Sequence, residues 1–264
     1  MTNPGKHRAR RRFSQNFLID RSYIDRIVGA VAPSLDDHIV EIGPGLGALT
    51  QPLLGVAARV DAIEVDRDAA RALEARFSQT GLTVHCADFL EFDLASLGSD
   101  LRLVGNLPYH VSTPILFAVD QYRDRVRDCC FMLQKEVVDR MVAAPATRDY
   151  GRLSVMLQCR WQLERLFDVP PTAFRPQPKV WSSMVRMRPG GSVSVSDRGS
   201  FYRIVEAAFS KRRKTLRNAL REIIDDAGFS RAQIDPGRRG ETLSVAEFAR
   251  LAEQAGNRAT SSSG

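Results

Sequence analysis

The 264-residue sequence has no apolar run approaching the roughly 18 residues that a membrane span needs. Its basic N-terminus leads into Phe13-Ser14-Gln15-Asn16-Phe17, where a secretory signal would place an apolar stretch. A cytoplasmic protein without a membrane partner is expected. Cysteine is scarce: Cys86, Cys129, Cys130 and Cys159 form no C-x-x-C pair, and two are adjacent in a strand-like run. They read as buried thiols, which excludes a disulfide or zinc framework. The four histidines, at positions 7, 38, 85 and 110, lack metal-ligand spacing, so no metal is expected. An apolar share of 44% and a charged share of 26% exclude wholesale disorder.

The middle of the chain also lacks the positive surplus of the whole. Residues 1–12 carry five basic and no acidic side chains, and residues 200–264 carry 12 basic and 8 acidic ones. Between them lie 21 basic and 23 acidic side chains, so the net charge of +7 resides at the two ends. Each run alone reads as a solvated tail or helix face; together they point to a polyanion, either nucleic acid or an anionic membrane surface.

What the sequence does have is alternation. Ser22 can cap a helix through Ile24, Ile27, Val28 and Val31 that Pro33 stops. Strand-like runs at 38–42, 59–65, 82–86, 101–105 and 128–134 are separated by helical stretches, one of which carries Ala70, Leu73 and Phe77 on a single face. Such βαβ alternation predicts an α/β fold, a Rossmann-like domain with a mostly parallel sheet. From Leu153 the pattern predicts strands at 153–161, 164–169 and 180–187, added antiparallel at one sheet edge. Residues 191–200 read as a glycine- and serine-rich linker. Beyond it only helices are expected, with apolar stripes at Phe209, Leu216, Leu220 and Ile223 and at Leu243, Phe248 and Leu251. The expected organisation is a basic arm at 1–12, an α/β domain at 13–190, a small all-helical domain at 201–258 and a disordered tail at 259–264.

The first strand, HIVEI, runs into Gly43-Pro44-Gly45-Leu46-Gly47 and then a helix. Glycines there let the backbone turn tightly and approach a ligand that a Cβ would exclude. Glu64, 19 residues after Gly45, ends the next strand, where a carboxylate can accept both hydroxyl hydrogens of a ribose; Asp88 ends the third, where it can bind an adenine edge. A dinucleotide would want G-x-G-x-x-G. Here the spacing is G-x-G-x-G, preceded by Glu41, whose charge suits an ammonium or sulfonium group better than a phosphate.

The fourth strand ends in Asn106-Leu107-Pro108-Tyr109. The lone pair of an adenine amine is delocalised into the ring, so methyl transfer to it needs acceptors that pull the nitrogen toward tetrahedral geometry. The Asn106 side-chain oxygen and the Leu107 or Pro108 carbonyl can take the two hydrogens while Tyr109 stacks on the base. A sulfonium leaving group is already activated, so a site with neither a catalytic histidine nor paired carboxylates suffices.

The segments QNFL at 15–18, VEIGPGLGALT at 40–50, GNLPYHVSTPILF at 105–117, FMLQKEV at 131–137, YGRLSVM at 150–156, FRPQPKVWSS at 174–183 and AFSKRRKTLRNAL at 208–220 resemble the KsgA family, the ribosomal RNA small-subunit adenine dimethyltransferases. The resemblance runs from about Arg11 to about residue 254 and departs from the family pattern at Ser14 and Gly240. It implies S-adenosyl-L-methionine as methyl donor and N6,N6-dimethylation of two adjacent adenosines in the 3′-terminal hairpin loop of 16S rRNA. It also implies a role in 30S biogenesis, with small-subunit rRNA and the immature 30S subunit as partners of a monomeric enzyme. By the same resemblance, cofactor contacts fall on Asn16, Leu18, Gly43, Glu64, Asp88 and Asn106, to which the glycine-turn reading adds Gly45, and Phe174 faces the target base opposite Tyr109.

The RNA grip is expected from Arg10, Arg11 and Arg12 in the arm and from Lys211, Arg212, Arg213, Lys214 and Arg217, read as opening the longest helix of the C-terminal domain. Two other readings compete. One is modification of a single large-subunit adenine, as Erm relatives perform, although those diverge in the 208–220 block. The other is a ribosome-assembly binding factor, against which Glu64, Asp88 and Asn106 together argue.

Overall fold

The computed structural model describes residues 16–210 and 213–261. In chain order its strands are β1 (Phe17–Leu18), β2 (His38–Ile42), β3 (Arg59–Glu64), β4 (Leu82–Cys86), β5 (Leu101–Asn106), β6 (Val126–Gln134), β7 (Trp161–Val169), β8 (Phe174–Arg175) and β9 (Ser182–Pro189). Seven of them form one sheet in the order β4-β3-β2-β5-β6-β9-β7, while β1 and β8 pair as a separate antiparallel ribbon. Strands β2 to β6 are parallel and β9 is antiparallel to β6. Their buried runs, Ile39-Val40 in β2, Leu103-Val104 in β5 and Cys129 to Leu133 in β6, are apolar on consecutive residues because both faces of a parallel sheet are covered.

The strand order places the site. From β2 the chain moves outward through β3 to β4, then returns to lay β5 on the other side of β2. In open α/β sheets a ligand crevice forms beyond the carboxyl ends of the strands at such a reversal.

The helices are α1 (Arg21–Val31), α2 (Thr50–Leu54), α3 (Arg67–Arg76), α4 (Ser112–Gln121), α5 (Lys135–Val142), α6 (Arg152–Gln158), α7 (Arg198–Ser210), α8 (Leu216–Leu220), α9 (Asp226–Ala232) and α10 (Val245–Ser261). The cap of α1 is Asp20, two residues before the expected Ser22: its carboxylate accepts the Ser22 N–H at 2.9 Å. The expected strand at 153–161 is instead helix α6, and only Trp161–Val169 is extended. A short apolar run buried on all sides reads alike in either state. What decides for the helix is Ser154, whose hydroxyl accepts the Gly151 N–H at 3.0 Å and donates to the Arg140 carbonyl at 2.5 Å.

By internal contacts the described residues form two compact units, one running to Val138 and taking up Glu164–Arg188, the other comprising Asp139–Leu163 and the chain from Pro189 onward. Residues 139–163, expected in the first domain, therefore pack with the C-terminal helices. There the Tyr150 hydroxyl donates to the Leu243 carbonyl at 2.8 Å, and the Ala146 N–H donates to the Glu241 carbonyl at 2.8 Å. The expected linker is shorter than predicted: the Gly190 and Ser192 N–H groups bond the Arg160 and Gln158 carbonyls, and α7 already begins at Arg198. Ala259 to Ser261, expected in a disordered tail, continue α10, whereas residues 262–264 lie outside the described residues. Gly240 has a local reason. A Cβ there would sit 3.0 Å from the Ala208 carbonyl oxygen and 3.1 Å from its Cβ.

The end of the sheet away from the crevice is tied by one buried guanidinium. Arg102 donates to both Asp128 carboxylate oxygens at 2.9 Å, to Asp37 at 2.6 Å and to the Val31 carbonyl at 2.7 Å, joining β5, β6 and the C-terminus of α1. Removing one partner of such a buried network strands the others without water. Arg102→Met is expected to lower the unfolding free energy by about 3–5 kcal/mol, measured by urea titration; a loss below about 1 kcal/mol would show that the clamp is not structural.

Candidate active site

Beyond the carboxyl ends of β2, β3, β4 and β5 lies a cavity of about 420 Å³, within the roughly 300–1,000 Å³ of small-molecule sites. Its floor is the 43–47 turn, where Gly43, Gly45 and Gly47 all have positive φ. Gly45 is doubly constrained, since its φ is +57° and a Cβ would lie 3.1 Å from the Phe17 ring. The β1 segment thus closes over the turn, and Asn16 and Leu18 line the cavity beside it.

Glu64 reaches the turn from the end of β3. One carboxylate oxygen accepts the Gly45 N–H at 3.0 Å and the other the Asp66 N–H at 2.9 Å, which holds the group rigidly while each oxygen keeps acceptor capacity. Burial raises its pKa. Asp88, exposed after β4, accepts the Leu90 N–H at 2.9 Å. Glu41 also lines the cavity. It is fully buried on β2 and accepts a 2.5 Å hydrogen bond from Thr50, and its pKa is raised to about 7, chiefly by burial with repulsion from Glu64 adding to it.

On the β5 side, Asn106 Nδ2 donates to the Asn16 carbonyl at 3.0 Å. Only the nitrogen of an amide can do so, which fixes Oδ1 as the free acceptor. The Leu107 N–H bonds the Met132 carbonyl at 3.1 Å, and the Pro108 carbonyl accepts the Val111 N–H at 3.1 Å. The Tyr109 hydroxyl lies 2.7 Å from Ser182 Oγ, so the ring is held at the rim by β9. Asn16, Leu18, Gly43, Gly45, Glu64 and Asp88 are thereby brought to one cavity with the whole Asn106–Tyr109 loop.

Phe174 is not among them. Expected as a second face for a base, it is 2% exposed and packs in the core with Leu18, Ile24 and Ile27, because pairing opposite Leu18 in the β1–β8 ribbon turns its ring inward. The basic C-terminal segment is also corrected. Lys214 lies in a bend and α8 starts only at Leu216, where the N–H groups of Leu216 and Arg217 bond the Arg238 and Pro236 carbonyls and anchor the first turn. Arg213 and Lys214 are exposed, and Arg217 pairs with Asp226 at 3.0 Å on the surface. Arg10, Arg11, Arg12, Lys211 and Arg212 lie outside the described residues.

Sequence reasoning missed three features. Ile19, Leu46, Val65 and Leu90 are exposed apolar side chains that line the cavity, a surface that a bound planar ligand would cover; single leucines and valines give no such signal in a sequence. His38 and His85 converge at 2.6 Å on the two oxygens of buried Asp61, a cross-strand arrangement invisible in their spacing. Cys86, read as a buried thiol, is exposed at the end of β4. Among the described residues no group of three or more His, Cys, Asp or Glu could hold a metal ion, and no helix is long and apolar enough to cross a membrane.

The model of the ribosomal RNA adenine dimethylase family matches residues 6–256. A ribosomal RNA small subunit methyltransferase A of Aromatoleum aromaticum is 55% identical over 245 residues, covering 92% of each chain. One of Thiobacillus denitrificans is 53% identical, covering 92% of this chain and 96% of the relative. Among solved structures, a dimethyladenosine transferase from Plasmodium falciparum superposes with a TM-score of 0.75 at 23% identity, covering 89% of this chain and 95% of that one. The 23S rRNA methyltransferase ErmE superposes with a TM-score of 0.68 at 25% identity, covering 91% and 100%.

Glu41 yields a test on the protein without cofactor. Its folded pKa of about 7 lies above the ordinary value of 4.5, so between these pH values the folded chain holds a proton that the unfolded chain releases. The stability of the free protein should therefore fall as pH rises from about 5 to 7, by on the order of 2 kcal/mol. Glu41→Gln should remove that component. Thermal melts of both proteins across this range check it, and parallel profiles would remove Glu41 as the titrating group.

Proposed function

The chain belongs to the ribosomal RNA adenine dimethylase family, methyltransferases of rRNA, and we propose that it methylates N6 of two adjacent adenosines in the 3′-terminal hairpin loop of small-subunit (16S) rRNA. The substrate is the immature 30S subunit in the cytoplasm, the product is N6,N6-dimethyladenosine, and the enzyme acts as a monomer. The observation that carries the reading is the Asn106 amide, oriented by the Asn16 carbonyl at the edge of an acid-lined cavity.

The residues fit S-adenosyl-L-methionine. Glu64 has acceptor capacity left for ribose hydroxyls, Asp88 for an adenine amine, and Glu41 lies where a cationic group would relieve its burial. Bound there, the cofactor supplies a methyl group already activated on a sulfonium. The chain's task is to present the amine. Asn106 Oδ1 accepts one N6 hydrogen. The Leu107 carbonyl is assigned the other in preference to that of Pro108, which already accepts the Val111 N–H and has one lone pair left. Tyr109, held by Ser182, stacks on the base, which is unpaired or flipped from its stack. Taking both hydrogens draws the nitrogen lone pair out of conjugation and aims it into the cavity, and the surplus proton leaves to water after transfer.

The ErmE likeness would equally suit a large-subunit adenine. The small-subunit reading is supported by two relatives, each more than half identical across 92% of this chain. Outside the cavity, Arg213, Lys214 and Arg217, with the N-terminal arginines Arg10, Arg11 and Arg12 and with Lys211 and Arg212, are assigned to phosphates. If about six cations engage, affinity falls on the order of a thousandfold between 50 and 200 mM salt.

Two outcomes test the reading. With labelled cofactor and small subunits lacking the modification, label should map to N6 of two adjacent adenosines, and Asn106→Ala should lower kcat at least about a hundredfold with RNA affinity nearly unchanged. Label at one large-subunit adenine, or normal turnover by the variant, would overturn the assignment. Separately, neutralising Arg213, Lys214 and Arg217 should flatten the slope of log affinity against log salt concentration by about 0.7–0.9 for each phosphate no longer neutralised, leaving cofactor affinity intact; an unchanged slope would remove this segment from the interface.

A further inference from the structure

Four of the large apolar side chains exposed among the described residues, Ile19, Leu46, Val65 and Leu90, line the cofactor cavity, and their exposure is explained by it. Val180 and Trp181, 43% and 50% exposed, line no part of it. A half-exposed tryptophan leaves a large apolar ring in water, and tryptophan is enriched at contact surfaces because it joins an apolar ring to a polar N–H.

Its position is specific. Trp181 directly precedes Ser182, so their Cα atoms are about 3.8 Å apart, and Ser182 Oγ lies 2.7 Å from the hydroxyl of Tyr109, the ring assigned to the target base. The Trp181 backbone is fixed, because its carbonyl accepts the Lys135 N–H at 2.9 Å and the buried strand β9 follows at once. The preceding chain carries two exposed cations, Arg175 at the end of β8 and Lys179 in the loop after it, and no acid between residues 169 and 181. An exposed aromatic ring on a fixed backbone, with basic side chains alongside and a base-binding tyrosine next to it, has the composition of a single-strand nucleic-acid platform. A protein partner would find the same apolar ring, but the adjoining positive charge and the continuity with Tyr109 favour nucleic acid.

We propose that Trp181 is a second stacking platform, which takes a nucleobase flanking the target adenosine while Arg175 and Lys179 meet the neighbouring phosphates. The proposal rests on the rRNA methyltransferase reading above and adds to it a residue that holds the RNA strand in register as the target base enters. Trp181 lines no part of the cofactor cavity, so it acts on substrate affinity and not on cofactor affinity.

The test is the kinetics of the full chain on small subunits lacking the modification, with wild type, Trp181→Ala, Trp181→Phe and Trp181→Leu compared at saturating cofactor. Trp181→Ala is expected to raise KM for the subunits roughly tenfold, as loss of one stacked base would, with kcat and cofactor affinity within about twofold. Trp181→Phe should restore most of the loss, and Trp181→Leu should not, because stacking needs a flat ring. The Phe and Leu variants keep apolar bulk, so their comparison holds even if alanine impairs folding. A KM unchanged in Trp181→Ala, or equal recovery by leucine and phenylalanine, would overturn the platform while leaving the methyltransferase reading intact. Failure of the wild type itself to methylate the subunits would overturn both.

Discussion

The hydrogen bond from Asn106 Nδ2 to the Asn16 carbonyl joins the separate parts of the site so that they act together. An amide offers one acceptor and two donors, and engaging a donor with a carbonyl leaves the acceptor oriented. That bond exists only if the segment leading into β1 lies against the end of β5. It does so because Leu18 pairs opposite Phe174 and buries itself in the core beside α1. The same segment sets the Phe17 ring on Gly45, so one two-residue strand covers the glycine turn and orients the acceptor. Phe174 thus bears on the site indirectly: buried, it anchors the strand next to the Asn16 carbonyl that bonds Asn106.

Electrostatics divide the molecule in the same way. Two buried carboxylates, Glu41 and Glu64, stand at the cavity with their pKa values raised by burial, a costly arrangement unless a cationic group enters. The cavity holds no cluster of basic side chains, and Arg76, at its edge, is occupied by the Leu46 carbonyl and Gln51. Exposed cations outside it, Arg175, Lys179, Arg213 and Lys214, have the opposite charge for a different partner. The sign of the charge thus distinguishes the cavity from the cations proposed to meet RNA in each unit.

Strands β2 to β6 could be read almost residue for residue: β2, β3, β5 and β6 are largely buried apolar runs ending in turns, and the edge strand β4, half exposed, is marked by its β-branched residues between a glycine and the chain's turn to Asp88. The cavity followed from the same logic: Gly45, Glu64, Asp88 and Asn106 each stand at or just past a strand end on the rim where the order reverses. Three readings failed where tertiary context decides. Residues 153–158 are apolar in a way that suits strand or helix, and the hydrogen bonds of Ser154 choose the helix. The cations of 211–217 suggested a helix, but the start of α8 is set by the carbonyls of Pro236 and Arg238, some twenty residues away in sequence. Phe174 lies in a segment matching the family, yet its burial depends on a two-residue strand too short to show any periodicity.

Presentation of the amine depends most on the direction in which the Asn106 amide faces. A crystal structure of the full chain with S-adenosylhomocysteine and adenosine would test it directly. N6 of the base is expected within about 2.7–3.2 Å of Asn106 Oδ1 and of the Leu107 carbonyl, with Nδ2 still on the Asn16 carbonyl. An amide turned so that Nδ2 meets the base, or a base bound away from the Asn106–Tyr109 loop, would contradict it.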